Sequence, residues 1–431
     1  MTTTEQILEG MKKGRAMYDE VHGSLAPSET VSEAGNELCL GDNLSYMKEL
    51  LERGLEGAFR LIYIDPPFFT RSSFNASVNV KDAAGASHKV HQLAYDDKFD
   101  RSLEYYIENM TVRLLMMRDL LADDGLMWIH LDWHSAHYIK LVLDELMGEK
   151  NFVNEIIWQY KSGGSGKRHF ARKHDTILVY SKTPKYYIDV PKEKSYNRDR
   201  KPYRFRGVAE YKDEGGWYTL VNMKDVWSID MVGRTSAERT GYATQKPLEL
   251  MKRIVEASTE EGDLVGDFFC GSGSLPEAAH ILGRRWAGCD SEMIAAAMAR
   301  RRLKKAGADF RLTRLEPARP LIGRADMSIL SADPLEDGRK LYKCRLADLM
   351  PDIDTGSIQM KDRAHVEDAL EADRLQFADH VMIDPDYDGA FESRYIFDAG
   401  ADEMSFISDG SFAVIVVDIF GKEYEAEIIQ R

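Results

Sequence analysis

A doubly wound, mostly parallel α/β sheet is the fold this sequence predicts, and three observations predict it. Short apolar strands alternate with amphipathic helices over residues 37–147 and again over 247–305. That alternation is the pattern of a parallel sheet covered on both faces. The runs at 60–64 (R-L-I-Y-I) and 126–131 (L-M-W-I-H-L) are almost wholly apolar, as strands buried on both faces are. Two of the strands also end in turns of unusual composition, one rich in proline and the other in glycine.

Taken in order, residues 1–35 read as a loose polar start and 37–40 as a short strand, followed by Gly41-Asp42-Asn43. Residues 44–54 read as a helix, and the strand at 60–64 stops at Asp65-Pro66-Pro67-Phe68. Residues 69–100 carry Gly, Ser, Asn and Asp and are expected to form a long loop. A helix is expected over 102–121, ended by Asp123-Asp124-Gly125, then the strand at 126–131 and a helix over 135–147. The pattern breaks at the flexible Gly/Ser stretch 162–166. It resumes with a helix at 247–258, a strand at 264–268, the turn Phe269-Cys270-Gly271-Ser272-Gly273-Ser274 and a helix at 275–282. A strand at 286–290 and a basic helix ending near Lys305 follow. Beyond about residue 308 the composition changes, and the runs 411–419 and 424–429 read as strands around a turn at Gly421.

The chain has 431 residues, 44% hydrophobic and 30% charged, enough for two or three compact units. No run of 18 apolar residues occurs, and the polar start lacks the apolar region of a secretory leader, so neither a membrane span nor export is expected. Cys39, Cys270, Cys289 and Cys344 are scattered, which argues against a disulfide framework or a structural zinc site and fits a reducing cytoplasm. The net charge of −15 is segregated. Residues 161–206 hold 14 Lys and Arg against 4 Asp and Glu, whereas 331–431 hold 10 against 24. The first block, interleaved with Phe170, Tyr180, Tyr186, Tyr187, Tyr196, Tyr203 and Phe205, has the composition that holds phosphates and bases; the second would repel them. Within it, Asp384-Pro385-Asp386-Tyr387-Asp388-Gly389 matches half of a calcium loop, but Tyr395 stands where a bidentate Glu is required, so a solvated acidic turn and no metal is expected.

Two motifs carry chemistry. Asp267 and the turn 269–274 follow a strand, and glycines there let a ligand approach the backbone. A second strand ends about twenty residues later in Asp290, a carboxylate suited to the two hydroxyls of a ribose. Asp65-Pro66-Pro67-Phe68 forms a rigid, non-helical ledge presenting a carboxylate, a free carbonyl and an aromatic face. An aryl amine needs that set: two acceptors for its N–H bonds and a ring on which its base can stack. A base inside a duplex reaches such a ledge only by leaving the stack. His130, Trp133 and His134 follow a sheet strand, where pocket lining, core packing and exposure are all open.

Together these motifs resemble the DNA amino-methyltransferases, whose signatures are [DNS]-P-P-[YFW] and F-x-G-x-G. The order, ledge first and glycines last with a basic segment between, is similar to the family's circularly permuted β class. Thr244-Gln245-Lys246-Pro247 and residues 174–182 also match that class, and residues 126–160 look like the modification subunits of type III restriction systems. The resemblance covers about residues 36–305. It implies a Rossmann-like methyltransferase sheet with a catalytic half at 36–160, an inserted target-recognition segment at 161–240, a cofactor-binding half at 241–308 and an appended acidic, β-rich domain at 309–431. It implies S-adenosylmethionine as cofactor, held by Asp42, Asn43, Thr244, Gln245, Lys246, Asp267, Phe269, Cys270, Gly271, Ser272, Gly273 and Asp290. In this assignment Asp42 meets the adenine, Asp290 the ribose, and Lys246 with the glycines the methionine end. Asp65, Pro66, Pro67 and Phe68 would be catalytic, with direct in-line transfer and Cys270 and Cys289 as bystanders. Duplex DNA would be the partner, contacted by Lys167, Arg168, Arg172, Lys173, Arg204 and Arg206, with a homodimer and a restriction subunit as further partners. Asp rather than Ser at position 65 favours adenine N6 over cytosine N4. Another acceptor, or an inactive cofactor-binding specificity module, remains the alternative. Phe68 replaces the commoner Tyr, Ala243 a frequent Pro, and Ser274 a usual Thr.

Overall fold

The computed structural model describes residues 1–26, 35–97, 102–161, 167–233, 235–315, 323–389, 391 and 393–430. The Gly/Ser stretch 162–166, expected to be flexible, lies outside the described residues.

The loose start expected at the N-terminus is instead a helix, α1 (Thr3–Gly23), capped by Thr2, whose Oγ1 accepts from Glu5 N at 3.3 Å while Glu5 Oε2 accepts from Thr2 N at 2.7 Å. Its buried stripe is thin, Ile7, Gly10, Met11 and Gly14. A Cβ at Gly10 would lie 2.5 Å from Glu104 O and one at Gly14 2.6 Å from Glu108 O, so these glycines let α1 lie close against a neighbouring helix. That neighbour is α3, placed below. Next come β1 (Glu37–Leu40), α2 (Asn43–Glu52) and β2 (Phe59–Ile64).

The long loop expected over 69–100 is a hairpin, β3 (Ser73–Lys81) paired antiparallel with β4 (Ser87–Asp96). Its signal is the alternation of Phe74, Ala76, Val78 and Val80 with polar residues, a period of two carried by small side chains. Helix α3 (Leu103–Leu120) passes directly into β5 (Leu121–Leu131), so Asp123-Asp124-Gly125 lies within a strand and does not end the helix. Helix α4 (Ala136–Leu143), β6 (Phe152–Gln159) and β7 (His174–Ser181) follow. Strands β8 (Lys192–Tyr196), β9 (Glu210–Asp213) and β10 (Gly216–Asn222) form a separate three-stranded sheet. The chain returns through β11 (Val226–Ser228), α5 (Leu248–Ser258), β12 (Leu264–Asp267), α6 (Ser274–Ile281), β13 (Arg285–Asp290), α7 (Met293–Lys305) and β14 (Arg311–Arg314).

Nine strands form one sheet in the order β14-β1-β13-β12-β2-β5-β7-β6-β11. From β14 to β5 every neighbour is parallel; β7 runs antiparallel to both β5 and β6. Helices α1 to α4 bury one face and α5 to α7 the other. Strand β2 shows why its sequence is apolar: Phe59, Ile62 and Ile64 pack into the first core, Leu61 and Tyr63 into the second. Strands β7 and β11 belong to this sheet, so the 161–240 segment is not one separate unit. Likewise β14 pairs with β1, beyond the boundary expected at 308.

The acidic unit comprises β15 (Arg324–Pro334), β16 (Lys340–Met350), α8 (Arg363–Ala372), β17 (Ala378–Asp384), β18 (Tyr395–Asp398), β19 (Met404–Ser408), β20 (Ala413–Asp418) and β21 (Glu423–Gln430). It is one sheet ordered β18-β17-β20-β21-β15-β16-β19. Its core also takes in Val80 and Val90 of the hairpin. Glu423, buried, is bonded by Arg300 of α7 at 2.6 Å and by Arg314 of β14, which ties this unit to the large sheet.

Candidate active site

Strands β12 and β2 are parallel neighbours, Gly266 beside Ile62, so the glycine turn and the proline ledge leave the same edge side by side. On one side of this pair the chain proceeds through α6 to β13, on the other through α3 to β5. A crevice at such a reversal is where open α/β sheets bind ligands. A cavity of about 370 Å³ opens there.

On the glycine side, Gly271 and Gly273 have φ of 50° and 76°, conformations that side chains disfavour. Gly271 N donates to Asp290 Oδ2 at 2.8 Å and Glu292 N to Asp290 Oδ1 at 2.9 Å, which fixes that carboxylate at the end of β13. Burial pushes the carboxyls of Asp267 and Asp290 up, and burial together with Asp290 pushes Glu292 up to about 7. Burial likewise raises the Cys270 and Cys289 thiols, which leaves neither as a ready nucleophile.

On the ledge side, Asp65 Oδ2 accepts from Lys246 Nζ, while Oδ1 is buried and meets no partner among the described residues. Phe68 stacks on His130, centroids 6.2 Å apart and planes 18° apart. His130 is wholly buried within β5, with Nδ1 2.9 Å from Tyr63 Oη and Nε2 3.2 Å from Asp175 Oδ2. Tyr160 Oη donates to the other Asp175 oxygen at 3.0 Å. If Nε2 carries the proton, the side-chain polar atoms of Tyr63, His130, Tyr160 and Asp175 satisfy one another: Tyr63 donates to His130, and His130 and Tyr160 to Asp175.

Of the residues expected from the sequence, Asp42, Asn43, Asp65, Pro67, Thr244, Gln245, Lys246, Asp267, Phe269, Cys270, Gly271, Ser272 and Asp290 line the cavity. Pro66, Phe68 and Gly273 do not line it; Gly273 caps α6, and a Cβ there would lie 3.0 Å from Ala299 Cβ. The side chain of Gln245 is committed to its own loop, donating to Glu238 O at 2.6 Å and accepting from Thr240 N at 2.8 Å. Lys246, expected at the methionine end, lines the cavity and pairs with Asp65. Asp42 caps α2 through Ser45 N at 3.0 Å and receives Arg113 at 3.0 Å.

Tyr95, Tyr105, Asn109, Arg113, Tyr242 and Glu292 line the same cavity and were not foreseen. Only Glu292, two residues after Asp290, had a local signal. The expected DNA contacts fall on two segments, 167–173 ahead of β7 and 204–206 between β8 and β9. Lys167, Arg168, Arg172, Arg204 and Arg206 are exposed and Lys173 half-buried; the Arg172 guanidinium lies 3.9 Å over the ring of Trp133. Trp133 is itself exposed, and neither it nor His130 nor His134 lines the cavity.

The glycine turn and the proline ledge thus face one cavity at the edge of the sheet. Residues 59–301 match the family model for DNA methylases of the N6/N4 type, and the chain belongs to that family of DNA amino-methyltransferases. It is 30% identical to the type II methyltransferase M.EcaI of Enterobacter cloacae, over 61% of this chain and 68% of that one. It is 29% identical to the Mod subunit of the type III restriction-modification enzyme EcoP15I of Escherichia coli, over 35% of this chain and 25% of that one. Among solved structures, the M1.HpyAVI–SAM complex is similar over 62% of this chain and 98% of that one, with 20% identity and a TM-score of 0.38.

Proposed function

We propose that this chain methylates the N6 amine of adenine in duplex DNA, at a base turned out of the helix, with S-adenosylmethionine as cofactor. The observation that carries the reading is Asp65 Oδ1, an unpartnered buried acceptor at the mouth of β2 beside the glycine turn of β12. The cavity fits the cofactor by charge as well as by size. The carboxyls of Asp42, Asp65, Asp267, Asp290 and Glu292 outnumber the cations Arg113 and Lys246 on the cavity wall, a set of acceptors suited to a ligand with hydroxyls and an ammonium. The Asp290 carboxylate would take the ribose hydroxyls, the glycine turn would let the ligand backbone come close, and the strand order, ledge before glycines, corresponds to circular permutation.

When bound, the cofactor supplies a methyl group activated by positive sulfur. The chain does the rest by position and electrostatics. Asp65 Oδ1 and the Pro66 carbonyl accept the two N–H bonds of the target amine and aim its lone pair, and Phe68, backed by His130, offers the stacking face. Asp65 is placed to hold the proton that the nitrogen sheds. No cysteine takes part, and transfer is direct. Asp at position 65 favours adenine; cytosine N4 is the second reading. The exposed bases of residues 167–173 and 204–206 would hold the DNA, and a homodimer or a restriction subunit would be further partners in the cytoplasm.

Tritiated-methyl transfer to plasmid, followed by nucleoside mass spectrometry, tests this. N6-methyladenine is the expected product. N4-methylcytosine would replace the adenine reading, and no incorporation would point to an inactive specificity module.

A further inference from the structure

Two cations line the cavity among the described residues, and they are not equally committed. Arg113 is held on three sides: it donates to Asp42 Oδ1 at 3.0 Å, to Asn43 Oδ1 at 2.6 Å and to Asn109 Oδ1 at 3.2 Å. Lys246 has the pair with Asp65 and a long 3.4 Å contact to Thr244 O. Its main chain is fixed, because its carbonyl accepts from Ser274 Oγ at 3.0 Å at the start of α6. Its side chain ends 5.6 Å from the centroid of Phe68. The ammonium therefore stands against the carboxylate, and over the ring, that a target base would use.

Such an ammonium opposes methyl transfer if it stays. It occupies one Asp65 oxygen, weakens the other as an acceptor, and crowds the stacking face. Drawing it away from a mostly buried carboxylate is strongly unfavourable unless both charges find new partners. A carboxylate entering the cavity provides one partner for Lys246, and the N–H of the target amine provides one for Asp65. Arg113 is too engaged to be the competitor.

We infer that Lys246 is shared between two carboxylates: it pairs with Asp65 while the pocket is empty, and with the α-carboxylate of the cofactor's amino-acid end once the pocket is filled, which clears Asp65 and Phe68 for the base. This rests on the proposed cofactor. It makes binding ordered, cofactor before target base, and makes Lys246 a positioning residue that acts through Asp65.

Calorimetry with two probes tests it: S-adenosylhomocysteine, which carries the carboxylate, and methylthioadenosine, which lacks it. Asp65→Asn frees Lys246 and should tighten S-adenosylhomocysteine about five- to tenfold, an ion pair's worth of competition, with methylthioadenosine unchanged. Lys246→Met should weaken S-adenosylhomocysteine about tenfold and again spare methylthioadenosine. Equal effects on both probes, or no effect of Asp65→Asn on either, would overturn the sharing. If the unaltered protein binds neither probe, the cofactor assignment itself fails, and the inference with it. Asp65→Asn is isosteric, so the result does not depend on Lys246→Met folding.

Discussion

His91 and Asp362 join the hairpin to the acidic C-terminal unit through one carboxylate oxygen: Asp362 Oδ2 accepts from His91 N at 2.9 Å and lies 2.8 Å from His91 Nδ1. Around this pair, Leu93 N donates to Ser357 O at 3.0 Å, Gln359 N to His91 O at 3.1 Å, and the rings of His88 and His365 stack at 4.0 Å. The hairpin follows the ledge and carries Tyr95 into the cavity wall. The acidic unit thus braces the cavity wall from outside, through contacts with the hairpin, α7 and β14.

Loss of that brace should loosen the hairpin. Asp362→Ala leaves the His91 N–H without its acceptor, a cost of about 1–3 kcal/mol. Faster amide hydrogen exchange across β3 and β4, with a lower methylation rate, is the expected result. Burial alone would raise the Asp362 carboxyl; the His91 hydrogen bonds outweigh it and hold the carboxyl below the ordinary range. The stabilisation is therefore present above the ordinary carboxylate value and is lost as the pH falls through the depressed one. Exchange that is unchanged in the hairpin would show the brace to be idle.

Asp65→Ala should abolish methylation while cofactor binding survives or tightens, because Asp65 serves the target amine and only competes with the cofactor for Lys246. Turnover is read with labelled methyl and affinity by calorimetry. Near-normal turnover would remove Asp65 from the chemistry.

Asp290→Ala should weaken cofactor binding by about 1–3 kcal/mol, the cost of leaving buried polar groups unpaired. Unchanged affinity would exclude Asp290 from the pocket.

Glu292, pushed up to about 7, gives a pH signature. Because its folded value is raised, its contribution to stability is present below the ordinary carboxylate value and lost as the pH rises through about 7. Binding of a cation runs the other way and should strengthen between about pH 6 and 8 as Glu292 ionises. Glu292→Gln should flatten both profiles. A slope that persists in the variant assigns it to another group.

The ledge and the glycine turn were legible because β2 and β12 are buried on both faces, which writes short, largely apolar runs that end where the chemistry starts. The hairpin was not, since Ala76, Val78 and Val80 bury little area and gain their cover from far along the chain, Val78 and Val80 from the acidic unit and Ala76 from Tyr242 and α7. Helix α1 hid for a related reason: two of the four buried residues in its stripe, Gly10 and Gly14, contribute closeness and almost no hydrophobicity beside Ile7 and Met11. The pairing of Lys246 with Asp65 spans 181 residues and has no local signature at all.

DNA binding is expected to follow the basic surface, and the small sheet shows why composition alone understates it. Tyr196, Tyr218 and Tyr211 stand opposite one another across β8, β10 and β9, with ring centroids 5.5 and 5.6 Å apart. Lys194 lies 4.8 Å over Tyr218, and Tyr196, Tyr211 and Phe205 are exposed. Lys194 is paired with Asp213 at 2.6 Å, so the row offers base faces while the basic segments beside it offer the charge for phosphates, and the acidic unit repels them. Affinity for duplex should therefore fall steeply with salt, and each phosphate-contacting Lys or Arg removed from 167–173 or 204–206 should lower the slope of log K against log salt by about one. Arg172→Ala should do more than remove a charge, since it also uncovers Trp133; tryptophan emission on titration with DNA separates the two effects. Charge removal across both segments that left the salt slope intact would move the DNA to another face.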